Sequence, residues 1–313
     1  MKYLRIAVVI IFCISVAAYG AARYYDYKNH DSVPPVITIE GEQIDYNVLE
    51  PDTTPLMQGV TASDNRDGDI TSQVVVENMG PLLSDLTRDV TYVVCDSYNN
   101  IARASRKIRL RKYSSPRWQI SEPLRFPNNK IINLASYITA TDCLDDAISN
   151  RIRCTSGYFF DSSEPGGGEM SFQVTNSASD TSFLDVYVEI YDAEESNYLP
   201  VIQLKKNIVN VKVNGNLDPY YMLEYVTCAG RTYEINRESK KVNASSAEKR
   251  VKGLFGNREN IGEDDELIEE LRYRDFYIDS NLDLSTPGNY LIKYTINTDD
   301  GYSTTVGLPV IVH

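Results

Sequence analysis

The chain has 313 residues and a formal charge of −13, with 44 Asp and Glu against 31 Lys and Arg. This balance excludes nucleic acid as a partner, because phosphate binding needs clustered cations. Length sets a prior of two or three domains. Two histidines, His30 and His313, leave no material for a Ser-His-Asp or Cys-His site. Tyr outnumbers Phe by 23 to 8, and with many Val, Ile and Thr residues this favours strands.

Residues 1–5 carry Lys2 and Arg5, and residues 6–22 form an uncharged, largely apolar run from Ile6 to Ala22. A basic start followed by an apolar stretch is an export signature. The run is at the short end for a membrane span. It reads as a signal anchor or a cleaved signal peptide, with Ala18-Tyr19-Gly20 as a small-residue cleavage site. Ile10, Ile11 and Phe12 are too bulky for a lipobox around Cys13. Residues 31–313 are therefore expected outside the cytoplasm, either on a single-pass membrane anchor or secreted. Residues 23–33 read as a polar, Tyr-rich linker.

Pro34-Pro35 opens a first module over residues 34–113, beginning with the strand Val36-Ile37-Thr38-Ile39. Next comes the acidic stretch Gly59 to Thr71, whose Asp, Asn and Gly content predicts a tight turn. Val90, Tyr92 and Val94 alternate with Thr91 and Val93, the period of a half-buried strand. Lys107-Ile108-Arg109-Leu110 closes the module, with cations that blunt an edge.

A second module, residues 114–196, repeats the first. Ala140 to Ser149 matches Ala62 to Thr71 at an offset of 78, with Asp142 and Asp145 in place of Asp64 and Asp67. Asp146 and Ala147 replace Gly68 and Asp69, so the acidic pattern is eroded. Gly166-Gly167-Gly168 reads as a loop before the next strand. A third module, residues 197–313, opens at Pro200. It ends on an alternating strand that places Tyr290, Ile292, Tyr294 and Ile296 on one face, followed by an Asp299-Asp300-Gly301 turn. A charged insertion at about residues 237–274 holds two expected helices, one from Ser245 and one over Glu263 to Tyr273. It is either a lid on the sandwich or a partner-binding element.

The stretch Ala62-Ser63-Asp64-Asn65-Arg66-Asp67-Gly68-Asp69-Ile70-Thr71, together with Pro287-Gly288-Asn289-Tyr290 and the following Tyr294 and Ile296, resembles the bacterial immunoglobulin-like modules repeated on Gram-positive surface proteins. Asp96 and Asn100 hold two positions of that pattern's polar turn. Asn99 stands where the pattern has Gly, and Asn accepts left-handed backbone more readily than most residues. The resemblance implies an all-β chain of three tandem antiparallel β-sandwiches used as stalks, spacers, or adhesive and ligand-binding modules. The expected partners are the membrane, through the N-terminal helix, and a protein or glycan at the cell surface. The expectation is of no enzyme activity.

Asp64, Asn65, Asp67 and Asp69 offer hard oxygen ligands within six residues, a density that suits calcium. The alternative is an Asx-type turn that caps its own backbone and needs no metal or other cofactor. Of the cysteines, Cys143 and Cys154 are the pair that could form a disulfide; otherwise these, Cys95 and Cys228 serve as small buried hydrophobes. Paired acids such as Asp145 and Asp146 occur by chance in so acidic a chain and do not define a glycosidase.

Overall fold

The computed structural model describes residues 2–50, 53–156, 162–228, 231–234, 277–298 and 301–313. The charged insertion with its two expected helices, and the Asp299-Asp300 pair, lie outside these described residues.

The chain opens on a helix, α1 (Lys2–Asn29). Its apolar window, Tyr3–Tyr25, is 23 residues long with a mean hydropathy of 2.2, and none of it is buried. At 1.5 Å per residue the window is about 35 Å long, enough to cross a hydrocarbon core of about 30 Å. The helix runs on through most of the expected linker, because residues 23–29 contain no Gly or Pro to stop it.

Strands dominate the rest of the described residues, as the alternating patterns predict, and the chain forms two compact units, residues 1–113 and 114–313. The first unit holds β1 (Val36–Ile39), β2 (Gln43–Asn47), β3 (Val60–Asp64), β4 (Gly68–Asp69), β5 (Val75–Met79), β6 (Thr87–Cys95) and β7 (Ile101–Arg111). The second begins with β8 (Arg117–Ile120), β9 (Arg125–Pro127), β10 (Ile138–Asp142), β11 (Asp146–Ala147), β12 (Arg153–Cys154), β13 (Gly166–Thr175) and β14 (Thr181–Tyr191). It continues with β15 (Val201–Leu204), β16 (Val209–Val211), β17 (Leu223–Cys228), β18 (Arg231–Glu234), β19 (Tyr277–Ser280), β20 (Gly288–Asn297) and β21 (Ser303–Val312).

One topology occurs three times. The sheets run β1-β3-β4 and β2-β7-β6-β5, then β8-β10-β11 and β9-β14-β13-β12, then β15-β17-β18 and β16-β21-β20-β19. Each larger sheet contains one parallel pair: β2 with β7, β9 with β14, and β16 with β21. The other pairings among the described residues are antiparallel, so the parallel pair in each larger sheet departs from the wholly antiparallel sandwich that the resemblance implies. Each sheet pair encloses its own apolar core. Val90, Tyr92 and Val94 lie in the first, Trp118, Phe172 and Val174 in the second, and Ile292, Tyr294 and Ile296 in the third.

Tyr92, Phe172 and Tyr294 occupy the same place on the sixth strand of each sandwich. The Tyr92 hydroxyl donates to the Leu56 carbonyl at 2.5 Å, on the short helix α2 (Thr54–Met57). The Tyr294 hydroxyl donates to the Pro219 carbonyl at 2.7 Å, on the equally short α3 (Pro219–Met222). Burial of the ring is thus compatible with its hydroxyl because a helical turn supplies an acceptor. In the first sandwich a buried guanidinium completes the arrangement. Arg106 donates to the Tyr92 hydroxyl at 2.9 Å, the Leu56 carbonyl at 2.7 Å and the Glu40 carbonyl at 3.4 Å.

The second unit coheres because two sandwiches meet side by side. Alternation along β14 fails at its end, where Val188, Glu189 and Ile190 are all buried, because the outer face of this strand is covered by the third sandwich. Leu291 on β20 is buried away from its own core, against Gly307. The Asn207 side chain donates to the Ile120 and Ser121 carbonyls, and Lys293 pairs with Glu169 at 2.8 Å.

Two expectations change. Gly166-Gly167-Gly168 lie in strand β13, opposite Ile190, Glu189 and Val188, and are not a loop. A Cβ on Gly167 would come within 2.0 Å of the Tyr187 hydroxyl, so glycine there makes room for a tyrosine lying across the sheet. Cys143 and Cys154 form no disulfide; all five cysteines are free. Cys143 lies beside the smaller sheet with its sulfur on the Ser114 backbone, whereas Cys154 is on the larger sheet with its sulfur against Ser156.

The Tyr92 arrangement can be tested. Arg106→Met leaves the Tyr92 hydroxyl and two carbonyls with fewer donors in a dry core, and should destabilise the first unit by about 2–3 kcal/mol. Tyr92→Phe, which copies Phe172, should cost about 1–2 kcal/mol. Urea unfolding followed by circular dichroism measures both, while fluorescence of the lone tryptophan, Trp118 in the other unit, should not move.

Candidate functional site

In the first unit, the acidic turn folds against the hairpin turn between β6 and β7. The Asp64 Oδ1 accepts the N–H groups of Arg66 at 2.8 Å and Asp67 at 2.9 Å. Asp67 turns away and accepts the Ser97 N–H at 2.7 Å and its hydroxyl at 2.8 Å. Asp69 accepts the Thr71 N–H at 2.9 Å. Gly68 supplies the left-handed corner at φ +74°, and Asp146 adopts φ +56° at the matching position of the second sandwich. The four candidate residues therefore do not converge on one point.

Among the described residues, the carboxylates that do come together are Asp31, Asp64 and Asp96, with oxygens within 4.8 Å of one another. Asp96 directly follows β6; its Oδ1 accepts the N–H groups of Tyr98 at 2.9 Å and Asn100 at 2.7 Å, and its Oδ2 accepts the Asn100 amide at 2.7 Å. Asp31, just beyond α1, is 3% exposed. It accepts the Val33 N–H at 3.0 Å and pairs with Arg66 at 3.5 Å. With its amide turned to donate, Asn65 reaches Asp64 Oδ2 and Asp31 Oδ2, each at 3.0 Å. His30 packs edge-on to Tyr98 at 5.7 Å, and the Arg66 guanidinium lies over the same Tyr98 ring at 5.5 Å. Asp31 was not legible as a member of this group, because it precedes the first strand and is remote in sequence from the turn.

These three carboxylates are the residues that could hold a hard cation. Local donors already serve them. The N–H groups of Asp67 and Arg66 hold the Asp64 carboxyl below the usual range. Burial pushes the Asp96 carboxyl up, but the Asn100 side chain and the N–H groups of Asn100 and Tyr98 outweigh it and hold it low. Thr71 holds Asp69 low. The second sandwich solves the same packing without a second charge: Asn176 replaces Asp96 and donates to Asp142 Oδ2 at 3.1 Å. In the third, the Thr298 hydroxyl takes the Tyr302 N–H at 3.0 Å.

A concave site lies in the other unit. It is a cleft of about 360 Å³ between the second and third sandwiches, lined by Tyr187, Glu189, Tyr191, Asp192, Glu195 and Tyr302 among others. At its base Glu189, 8% exposed, pairs with Arg125 and accepts the Thr305 N–H at 2.8 Å. Arg125 also donates to the Thr304 hydroxyl at 3.0 Å and lies over Tyr191 at 4.6 Å. Burial pushes the Glu189 carboxyl up, against the opposing pull of Arg125. Tyr302 stacks on Tyr198, with ring centroids 5.5 Å apart and planes within 12°. Sequence patterns gave no sign of this site, since its residues come from two modules and lie on faces expected to meet solvent.

No family model and no curated protein matches the chain. Among solved structures, CBM51-2 in complex with GlcNAc and INT domains from Clostridium perfringens ZmpB is similar at 16% identity and TM-score 0.20, over 50% of this chain and 41% of that one. The lipoprotein BT2262 from Bacteroides thetaiotaomicron is similar at 12% identity and TM-score 0.18, over 87% and 98%. Drosophila N-cadherin EC1-4 is similar at 12% identity and TM-score 0.23, over 87% and 73%. The chain thus spans less than half the length of the Clostridium structure. At such scores these likenesses carry no functional conclusion.

Carboxylates whose folded values are depressed stabilise the fold above their ordinary value of 3.8, and that contribution is lost as pH falls through the folded values. The first unit should therefore hold its urea midpoint from about pH 6 down to about pH 4 and lose it below. Asp96→Asn, which copies Asn176, should flatten this fall. Because backbone donors already satisfy the turn, millimolar calcium against chelator should move the melting temperature by less than an ordinary surface substitution does; a rise of several degrees that Asp96→Asn removes would reveal a bound ion.

Proposed function

We propose that this chain is a non-catalytic surface protein of the bacterial envelope, held by α1 and displaying immunoglobulin-like sandwiches outward as a stalk or ligand-binding array. The observation that carries this reading is the 23-residue apolar window of α1, none of which is buried. A helix of that length and composition at the start of an otherwise β-rich chain fits an anchor or an export signal better than a core element. The carboxylates of the acidic turn support the absence of chemistry, since Asp64, Asp67 and Asp69 are each taken up by nearby N–H groups. The reading calls for no cofactor.

Within this class, carbohydrate recognition is favoured over protein adhesion by one observation. Tyr191 and Tyr302 line one cleft, the Tyr302 ring backed by the near-parallel Tyr198, and they present the flat aromatic surfaces on which sugars stack.

Protease added to intact cells should digest residues 31–313, leaving the α1 segment with the membrane or no residual fragment at all. Survival of the whole chain until the cells are lysed would overturn the outward placement.

A further inference from the structure

We propose that the cleft between the second and third sandwiches is a glycan subsite, taking a short segment of neutral or amino sugars. It deepens the carbohydrate version of the reading above and rests on it for where the glycan is met. Four features of the cleft support it.

The first is size and form. At about 360 Å³ the cleft lies at the small end of the range for ligand sites, roughly 300–1,000 Å³, so it suits a few sugar rings and not a long chain. The second is the aromatic lining. Tyr191 and Tyr302 both line the cleft, and each is also packed on a partner that does not: Arg125 for Tyr191 and Tyr198 for Tyr302. Such backing fixes the ring planes, so a sugar C–H face would meet a surface already ordered. Aromatic side chains lose little freedom on binding when held this way.

The third feature is the polar lining. Asp192 and Glu195 offer carboxylate acceptors and Ser303 a hydroxyl, a set suited to ligands rich in hydroxyl donors. Among the described residues no Lys or Arg lines the cleft, and the nearby guanidinium of Arg125 is taken by Glu189. Acidic lining without a lining cation disfavours phosphates and uronic acids and accommodates a protonated amino sugar.

The fourth is preorganisation. Arg125, Glu189, Thr304 and Thr305 bridge the two sandwiches at the base of the cleft. Gly167 gives room for Tyr187, and Gly307 does so from the other sandwich, since a Cβ there would approach the Tyr187 Cβ to 2.7 Å. The walls are therefore set before any ligand arrives.

The test uses the full chain in detergent micelles, titrated with cellotriose, maltotriose and the glucosamine trimer, and read by ligand-observed saturation-transfer NMR. Trigalacturonate and hexalysine serve as comparators. At least one of the three sugars should bind and trigalacturonate should not. Tyr302→Ala should weaken binding by about tenfold, as should the double variant Asp192→Asn with Glu195→Gln. Tyr221→Ala, on α3 and outside the cleft lining, should leave affinity unchanged. The double variant keeps side-chain size, and the amide oxygen that Asp192→Asn leaves can still accept the Glu194 N–H that Asp192 accepts at 2.9 Å. It should therefore keep the urea midpoint, and it decides the matter even if Tyr302→Ala unfolds. Absence of binding by all three sugars, capture of hexalysine in their place, or unchanged affinity in the double variant would overturn the subsite. A chain that is digested on intact cells yet binds no sugar refutes the subsite alone; one that binds sugar yet survives until lysis refutes the outward placement alone.

Discussion

Every sandwich depends on how the backbone is closed where its sixth strand turns into its seventh. The tip of this hairpin exposes N–H groups that have no strand partner, and a buried side chain from the strand's end takes them. Asp96, Asn176 and Thr298 do this in turn, all of them less than a tenth exposed. The strand-to-strand bond is the same in each, from Asp96 N to Asn100 O, Asn176 N to Asp180 O and Thr298 N to Tyr302 O. A left-handed residue follows each time: Asn99 at φ +67°, Ser179 at φ +63° and Gly301 at φ +90°. Three side chains of different chemistry thus enforce one geometry. The choice among them decides what surrounds the turn. A carboxylate gathers the acidic group with Asp31 and Asp64, an amide closes on Asp142, and a hydroxyl places Tyr302 beside the cleft.

The second unit adds a constraint of another kind. A buried ion pair is weak evidence for stability, because desolvation offsets the attraction. Arg125 and Glu189 are better understood as fixing register. Their fork of contacts reaches Thr304 and Thr305 on the neighbouring sandwich. Apolar faces alone would tolerate sliding, whereas an unpaired charge in this position would not. Tyr187 acts in the same sense, since glycines on two different strands make room for it.

Much of the architecture was legible because each strand faces one core. Val90, Tyr92 and Val94 alternate as a half-buried strand must, and so do Ile292, Tyr294 and Ile296. The left-handed Asn99 was legible from its place in the turn. The burial of Glu189 and Leu291 was not, because it arises from a second sandwich pressed on a face that alternation assigns to water. Gly166 to Gly168 read as a loop because the tyrosine that Gly167 accommodates comes from the partner strand, which local composition does not report. Of the candidate metal ligands, Asp64 was placed with other carboxylates, but Asp31 and Asp96 are 33 and 32 residues from it along the chain, beyond the reach of motif spacing.

The parallel pair in the first sandwich has a mechanical consequence. The chain enters from the helix side through β1, runs on into β2 and leaves after β7, and β2 and β7 lie side by side over Gln43 to Asn47 and Lys107 to Arg111. Tension along the chain would draw parallel neighbours in opposite directions. Their hydrogen bonds, evenly spaced in a parallel ladder, would then share the load together instead of opening one after another. The Asn100 amide also holds the Asp31 carbonyl at 3.1 Å, so force arriving from the helix meets a bond to the β6–β7 turn before it reaches any strand. A domain strung in this way resists pulling by shear, which is the property a tether under flow would need.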